Sequence, residues 1–362
     1  VDSNPVAGNP GDREPIPPDI VDPLPKAPPP SSGAPAGTGR AGFVLYKIVP
    51  LAPALVPAAI VIAVAIVLVH VAGLSIWFTG WQLHVTLPMN FGTSFWGSAF
   101  NANDGQYGMA VFIVGSFLTA VPALFLSMII GLGIAIASTT YLPDFMARIL
   151  DPFVDLLAGI PSVVYGIWAF LVIAPYLGGT VFPWSVGHLA FIPGFAAHTT
   201  HPVSPTTEGT GLPLAIIVLT LMALPITTLL IRDALRSIPR DLWESGLALG
   251  ATRWEVVRRV SIRQGSRGIL SAAFLGFGRA IGETVAVAMV ISASDRFPVN
   301  VYDSTYTMAA FMYLSLDGAY GDPSFLAALA ELALVLLLIT LAVNLIGRRL
   351  VSHIYAQEVA GL

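Results

Sequence analysis

Residues 268–291 read GILSAAFLGFGRAIGETVAVAMVI. A stretch of this length and apolarity can cross a hydrocarbon core about 30 Å thick, which takes about 20 helical residues. Arg279 and Glu283 interrupt it with opposite charges four residues apart. Arg279 lies about 12 residues past the start of the stretch, or roughly 18 Å at 1.5 Å per residue. A charge placed that near the midplane costs roughly 2.5–3.5 kcal/mol on insertion scales. The fold therefore turns on whether this stretch spans a membrane, and the function on why it keeps the two charges.

Composition answers the first question. Of the 362 residues, 55% are hydrophobic and 10% are charged, against roughly 25% charged in soluble domains. Mean hydropathy is +0.78. These values predict an all-α polytopic membrane protein. A net charge of −4 and the lack of any nucleic-acid-binding motif point away from nucleic acid as a partner. With no cysteine, disulfides, thiolate metal sites and a cysteine nucleophile are excluded.

Six stretches are long and apolar enough to be transmembrane helices: 48–72, 110–138, 153–176, 211–231, 267–292 and 323–347. Pro122 and Pro225 lie inside two of them and predict kinks. Six spans place 15 of the 17 Lys and Arg residues on one side. Positive charge marks the cytoplasmic face, so both the N and C termini are expected to be cytoplasmic. Trp77, Trp81, Trp96 and Trp184 fall in the opposite loops, where they suit the water–lipid interface. Residues 1–42 are rich in proline and glycine and are expected to be a disordered cytoplasmic tail. The membrane domain is expected over 43–362.

The longest inner loop, 232–268, is basic and amphipathic. Asp241 can cap a helix starting near Leu242, with Glu244 at its third position. Gly250 breaks the pattern, and Trp254, Val257 and Ile262 give a second apolar face. Such a helix–glycine–helix unit is either held to anionic lipid by its arginines or docks a cytoplasmic partner.

On a helical wheel, the Arg279 side of the fifth span collects Ala272, Gly276, Gly282, Glu283 and Ala286. Phe274, Phe277, Ile281 and Val285 fall elsewhere. The small face is expected to meet protein or water. The pair is either a structural ion pair or an oxyanion gate. In the gate, the Arg279 guanidinium matches phosphate oxygens and Glu283 holds it between visits. Passage requires weak, exchangeable binding of this kind.

The loop spacing resembles a known motif. Glu244, then Gly250, then Val260-Ser261-Ile262 after nine residues is similar to the EAA loop of ABC-importer permeases. That motif runs Glu-Ala-Ala, three residues, Gly, nine residues, Ile-x-Leu-Pro. Here Ser245 and Gly246 replace the alanines and Arg263 stands in place of the proline. LLAGIPSVVYGIWAFLVIAP at 156–175, ATRWEVVRRV at 251–260 and GFGRAIGETVAVAMVI at 276–291 resemble the PstC-type permeases of phosphate-specific ABC importers, over about residues 105–350.

The resemblance implies the type I ABC importer permease architecture. It assigns Arg279, Glu283 and Thr284 to the substrate path. Glu244, Gly250, Ala251 and Trp254, in a coupling loop at 240–263, are assigned to ATPase coupling. It implies a PstA-like second permease, two copies of a PstB-like cytoplasmic ATPase and a PstS-like extracytoplasmic phosphate-binding protein, in the cell membrane. Loops 73–109 and 177–210 are the expected dock for the binding protein. Mg–ATP belongs to the ATPase, and this chain is expected to bind no cofactor.

Other residues carry weaker signals. Asp155 and Ser162 flank Pro161 and suit helix capping. Glu331 lies within the sixth span, with either another helix or a partner subunit to pair with. His188, His198 and His201 share an outer loop without a metal-ligand spacing. The sequence has no P-loop, H-E-x-x-H or G-x-S-x-G motif, so the chain is expected not to be an enzyme. The rival readings are a permease for another oxyanion or a PstA-type sister. In other classes they are an intramembrane acid-catalysed enzyme using Glu283 with Asp155 or Glu331, and a membrane phosphate sensor or scaffold.

Overall fold

A computed structural model of the chain describes residues 52–72, 75–79, 82–86, 97, 100–101, 106–192, 194–195, 208–292, 294 and 296–360. The chain divides into two compact units, 1–59 and 60–362. The expected tail over 1–42 lies outside the described residues, as do Trp81, Trp96, His198 and His201.

Helices dominate. Helix α1 (Ala52–Val71) is followed by two short antiparallel pairs, β1 (Ser75–Thr79) with β2 (Gln82–Thr86) and β3 (Phe100–Asn101) with β4 (Gln106–Tyr107). Trp77 lies on β1, opposite His84. Helix α2 (Ala110–Tyr141) ends in a π turn, and α3 (Asp144–Ala158) follows. Next come α4 (Ser162–Leu189), α5 (Leu212–Arg236) and α6 (Arg240–Ala248). Helix α7 (Arg253–Val256) continues through a π turn into Ile262–Gln264. Helices α8 (Ser266–Ile281), α9 (Val285–Val290), α10 (Met308–Ala319) and α11 (Pro323–Ala360) complete the order.

Four helices among the described residues are long and apolar enough to cross a membrane: α2, α4, α5 and the Pro323–Ser352 part of α11. Helix α1 contributes a shorter apolar stretch, Pro57–Val71. Helices α2 and α5 run unbroken through Pro122 and Pro225.

Two expected spans are corrected. The third begins at Ser162 rather than 153 and reaches Leu189, so the expected outer loop 177–210 is helical over its first part. Pro161 causes the shift: it lacks an N–H, and a proline disfavours helical geometry in the residue before it. The preceding residues form α3 as a separate amphipathic helix. The expected fifth span stops at Gly282 and restarts at Val285. Gly282 and the β-branched Thr284 are poor helix formers, and neighbouring apolar residues do not compensate.

The core forms where α2, α5 and α8 meet. Thr227 of α5 is fully buried between two glycines. A Cβ on Gly131 of α2 would lie 3.1 Å from its Oγ1, and a Cβ on Gly276 of α8 would lie 2.7 Å from its Cγ2. The Thr227 hydroxyl donates to the Ala223 and Leu224 carbonyls at 3.1 and 3.0 Å, so its methyl is left to face α8. Small residues thus bring three helices together.

This packing divides the residues that the helical wheel groups with Arg279. Ala272 and Gly276 are buried within the chain, together with Phe277 and Ile281. The open side of α8 carries Ser271, Leu275 and Arg279, with Gly282 just beyond. The small residues serve close helix crossings inside the subunit, not the Arg279 face.

Candidate functional site

The break between α8 and α9 exposes the residues that the sequence singles out. Arg279 lies in the last turn of α8 with its side chain exposed, and Glu283 and Thr284 are half-buried in the break. Arg279 and Glu283 do not pair. Ion pairs form elsewhere, between Arg232 and both Asp151 and Asp155, and between Arg236 and Asp151. Glu283 has left the helix that carries Arg279, and its Oε1 instead accepts the Ala286 N–H at 3.4 Å, at the start of α9. The Thr284 hydroxyl donates to the Gly282 carbonyl at 3.3 Å. Nearby on α4, the Tyr165 hydroxyl donates to the Leu157 carbonyl at 2.9 Å.

The inner loop folds as two short helices around a glycine. Helix α6 starts at Arg240 with Pro239 before it, and no side chain caps it. The expected Asp241 cap is therefore corrected: proline at the preceding position fixes the chain entry, and Asp241 falls inside the first turn. The cap belongs to the second helix. Thr252 Oγ1 accepts the Glu255 N–H at 3.3 Å, and Glu255 Oε2 accepts the Thr252 N–H at 2.8 Å. Glu255 Oε2 also accepts the Thr252 hydroxyl at 2.9 Å, and the Thr252 backbone and hydroxyl bonds hold the Glu255 carboxyl below its ordinary range. Gly250 has φ +82°, a left-handed conformation that glycine takes without Cβ strain. A Cβ on Gly246 would lie 2.9 Å from Val256 Cγ2, so the glycine in place of the motif's alanine lets α6 close on α7.

This unit leaves apolar surface open. Leu249 is 89% exposed and Trp254 is 55% exposed. Glu244 is exposed and Ala251 is half-buried. A groove of about 900 Å³ runs beside the unit, lined by Glu244, Trp243, Arg148, Arg236, Arg240 and Arg253 among others. The arrangement presents apolar and charged groups together, as a protein partner requires.

A buried ion network ties α3 to α5. Arg232 is 4% exposed, with Nη1 2.9 Å from Asp151 Oδ1 and Nη2 3.1 Å from Asp155 Oδ1. Arg236 Nη2 lies 2.6 Å from Asp151 Oδ2. Burial raises the Asp151 carboxyl, but Arg236 and Arg232 outweigh it and hold the group below its ordinary range. Asp155 is therefore an ion-pair partner rather than the expected cap, and Ser162 makes no capping bond at the start of α4. Asp151 escaped the sequence reading. Asp151 and Asp155 are one turn apart, as are Arg232 and Arg236, but no local spacing pairs the two sets.

Glu331 is 3% exposed, and its Oε2 has no hydrogen-bond partner among the described residues. His188 stacks on Trp184 with ring centroids 4.9 Å apart, and its Nδ1 lies 2.8 Å from the Trp184 carbonyl. No group of three metal-ligating side chains occurs among the described residues.

Residues 127–354 match the family of binding-protein-dependent transport system inner membrane components. The chain is 34% identical to the phosphate transport system permease protein PstC of Mesorhizobium japonicum, over 82% of this chain and 88% of that one. It is 32% identical to PstC of Pasteurella multocida, over 78% and 86%. Its fold is similar to a chain of a bacterial alginate ABC transporter solved with an alginate-bound periplasmic protein. There the TM-score is 0.53 at 18% identity, covering 86% of this chain and 96% of that one. Several helices able to cross a membrane, together with these matches, make the chain a multi-pass membrane protein. It belongs to the family of binding-protein-dependent transport inner membrane components, and within it to the PstC-type permeases.

Proposed function

We propose that this chain is a permease subunit of an ATP-driven ABC importer that carries inorganic phosphate into the cell, and that Arg279, Glu283 and Thr284 line its path. The observation that carries the reading is Arg279, an exposed guanidinium about three turns along α8 from the helix's other charge, Arg267. Facing lipid it would cost several kcal/mol. Facing a second permease across a hydrated path, it meets the oxyanion that guanidinium geometry fits. Glu283 serves as an alternating partner: it caps α9 when an anion holds the guanidinium and takes the guanidinium when no anion is present.

In this reading the chain has six spans with both termini cytoplasmic, in the cell's plasma membrane, and residues 1–42 form a cytoplasmic tail. A PstA-like permease completes the path. Two PstB-like ATPases supply the energy from Mg–ATP and dock on the unit that carries Glu244, Gly250, Ala251 and Trp254. A PstS-like protein delivers phosphate at the outer face. This chain holds no cofactor and performs no hydrolysis itself.

The test is uptake of labelled phosphate by cells carrying Arg279→Gln, alongside purification of the assembled complex. Loss of uptake with intact assembly is expected, whereas normal uptake overturns the path assignment. Competition by sulfate and molybdate against phosphate in the unaltered complex separates phosphate from the other oxyanions.

A further inference from the structure

Helix α3 turns its charges inward. Asp151 and Asp155 meet Arg232 and Arg236 at the end of α5, and Val154 is buried on the same side. The opposite face is apolar and open: Phe145, Met146, Ile149, Phe153, Leu156 and Leu157 are all exposed. At about 100° per residue, these six fall within about 60° of the direction opposite Asp151. An amphipathic helix on a soluble protein is arranged the other way round, with its apolar stripe toward the core.

The neighbouring helices fix the depth of this face. Helices α2, ending at Tyr141, and α4, starting at Ser162, are both able to cross a membrane. Only two residues separate α2 from α3, and three separate α3 from α4. With 15 residues, α3 measures roughly 22 Å, too short to cross a core of about 30 Å. It therefore stays on one side, at the level of the α5 terminus that Asp151 holds. Pro152 lies inside α3 and removes the N–H that the Arg148 carbonyl would otherwise receive. A carbonyl freed in this way is costly in hydrocarbon, whereas water among the headgroups satisfies it. That places the helix at the interface.

The side chains on the open face favour lipid over a protein partner. Crossings inside this chain use small residues, Gly131 and Gly276 against Thr227, and Gly166 against Ala286. Membrane helices that pack on one another need such residues. The six on the open face of α3 are all large, and none brings a hydrogen-bonding group of the kind a protein interface carries. The surroundings are basic. Residues 232–268 hold eight arginines and four acidic residues, and α3 adds the exposed Arg148. An apolar stripe bordered by excess arginine complements a phospholipid leaflet with anionic headgroups.

We propose that α3 is an interfacial helix lying in the membrane plane, with its apolar face seated in the phospholipid leaflet at the Arg236 end of α5. This requires a multi-pass membrane protein and does not rest on the phosphate reading. Asp144, Ala147, Arg148 and Asp151 of the same helix line the groove beside α6. The leaflet thus backs one wall of that groove.

The chain has no cysteine, so single spin labels test the seat. Ile149→Cys, Phe153→Cys and Leu156→Cys are labelled one at a time in the assembled transporter, with cysteine-free partner subunits. The membrane is a nanodisc of phosphatidylcholine and phosphatidylglycerol. Power saturation compares access to oxygen with access to a water-soluble nickel chelate. All three labels should favour oxygen, about 5–10 Å into the boundary of headgroups and acyl chains. Their depths should differ by less than half of the roughly 10 Å that an upright helix would put between Ile149 and Leu156. The full spread overturns the in-plane seat. Labels closed to both agents overturn it too, because a protein then covers the face. Labels that favour nickel overturn it as well, because the helix then stands in water. Replacing phosphatidylglycerol by phosphatidylcholine should raise nickel access roughly twofold or more, and unchanged access overturns the part given to anionic headgroups. None of these readings depends on which ion is carried, so the assignment of Arg279 to the path stands or falls separately by uptake.

Discussion

Arg232 Nη1 lies 2.9 Å from Asp151 Oδ1, and this contact joins the amphipathic helix α3 to the inner end of α5. The guanidinium is almost wholly buried and also meets Asp155, while Arg236 holds the other oxygen of Asp151. Removing one partner of a buried pair costs about 3–5 kcal/mol, because the other charge stays buried. Asp151→Asn leaves Arg232 with Asp155 alone, so a loss near the lower end, about 3 kcal/mol, is expected. Arg232→Met removes the buried charge itself and leaves Asp151 paired with Arg236, so it should be milder. Thermal unfolding of the purified complex checks the order. An Asp151→Asn complex as stable as wild type would show that the network contributes nothing.

Gly250 sets the angle between α6 and α7. At φ +82° an alanine is strained by roughly 1–2 kcal/mol, while asparagine visits this region more readily. Gly250→Ala should therefore weaken the stimulation of ATPase activity by the substrate-loaded binding protein several-fold, and Gly250→Asn much less. Reconstituted complexes in nanodiscs provide the measurement. Equal stimulation in both variants would remove the glycine from coupling.

Acid should open the Thr252–Glu255 box before it disturbs the spans. The Thr252 backbone and hydroxyl bonds lower the Glu255 carboxyl from an ordinary value of 4.5. A carboxyl lowered in the folded state stabilises it above that ordinary value, and the contribution is lost as pH falls through the lowered one. Capping should be intact at neutral pH and at pH 5, then fade in stronger acid. Hydrogen exchange at the Glu255 amide, corrected for intrinsic rates, reports it. Thr252→Ala should show fast exchange at every pH.

The sequence foretold the elements whose signal is local and the loop whose spacing is a motif. Four of the expected spans appear as long apolar helices because hydropathy over about 20 residues decides them. The break at 282–284 was hidden, since apolar residues flank it on both sides and hydropathy does not register three residues. Pro161 was visible, yet the apolar run on either side carried the expected span across it. The Thr252–Glu255 box is a T-x-x-E pattern and was legible, but Asp241 offered a competing start. The Arg232 network joins residues about 80 positions apart, so only packing could pair them. For the site, Arg279 and Glu283 stood out as charges in an apolar run. That Glu283 leaves α8 while Arg279 lies on its open side followed from a helix break and tertiary contacts that a helical wheel does not contain.

The triple crossing at Thr227 gives a prediction with its own rescue. Gly276→Ala places a methyl 2.7 Å from the Thr227 Cγ2, and overpacking of this kind costs about 1–3 kcal/mol. Thr227→Ser deletes that Cγ2 and keeps the hydroxyl that donates to the Ala223 and Leu224 carbonyls. Combined, the two substitutions should be less damaging than Gly276→Ala alone, with a coupling of about 1 kcal/mol in a double-mutant cycle. Unfolding midpoints of the four complexes supply the cycle. Additive losses would mean that α8 yields by moving away from α5, and that the close approach at Gly276 is not what positions Arg279.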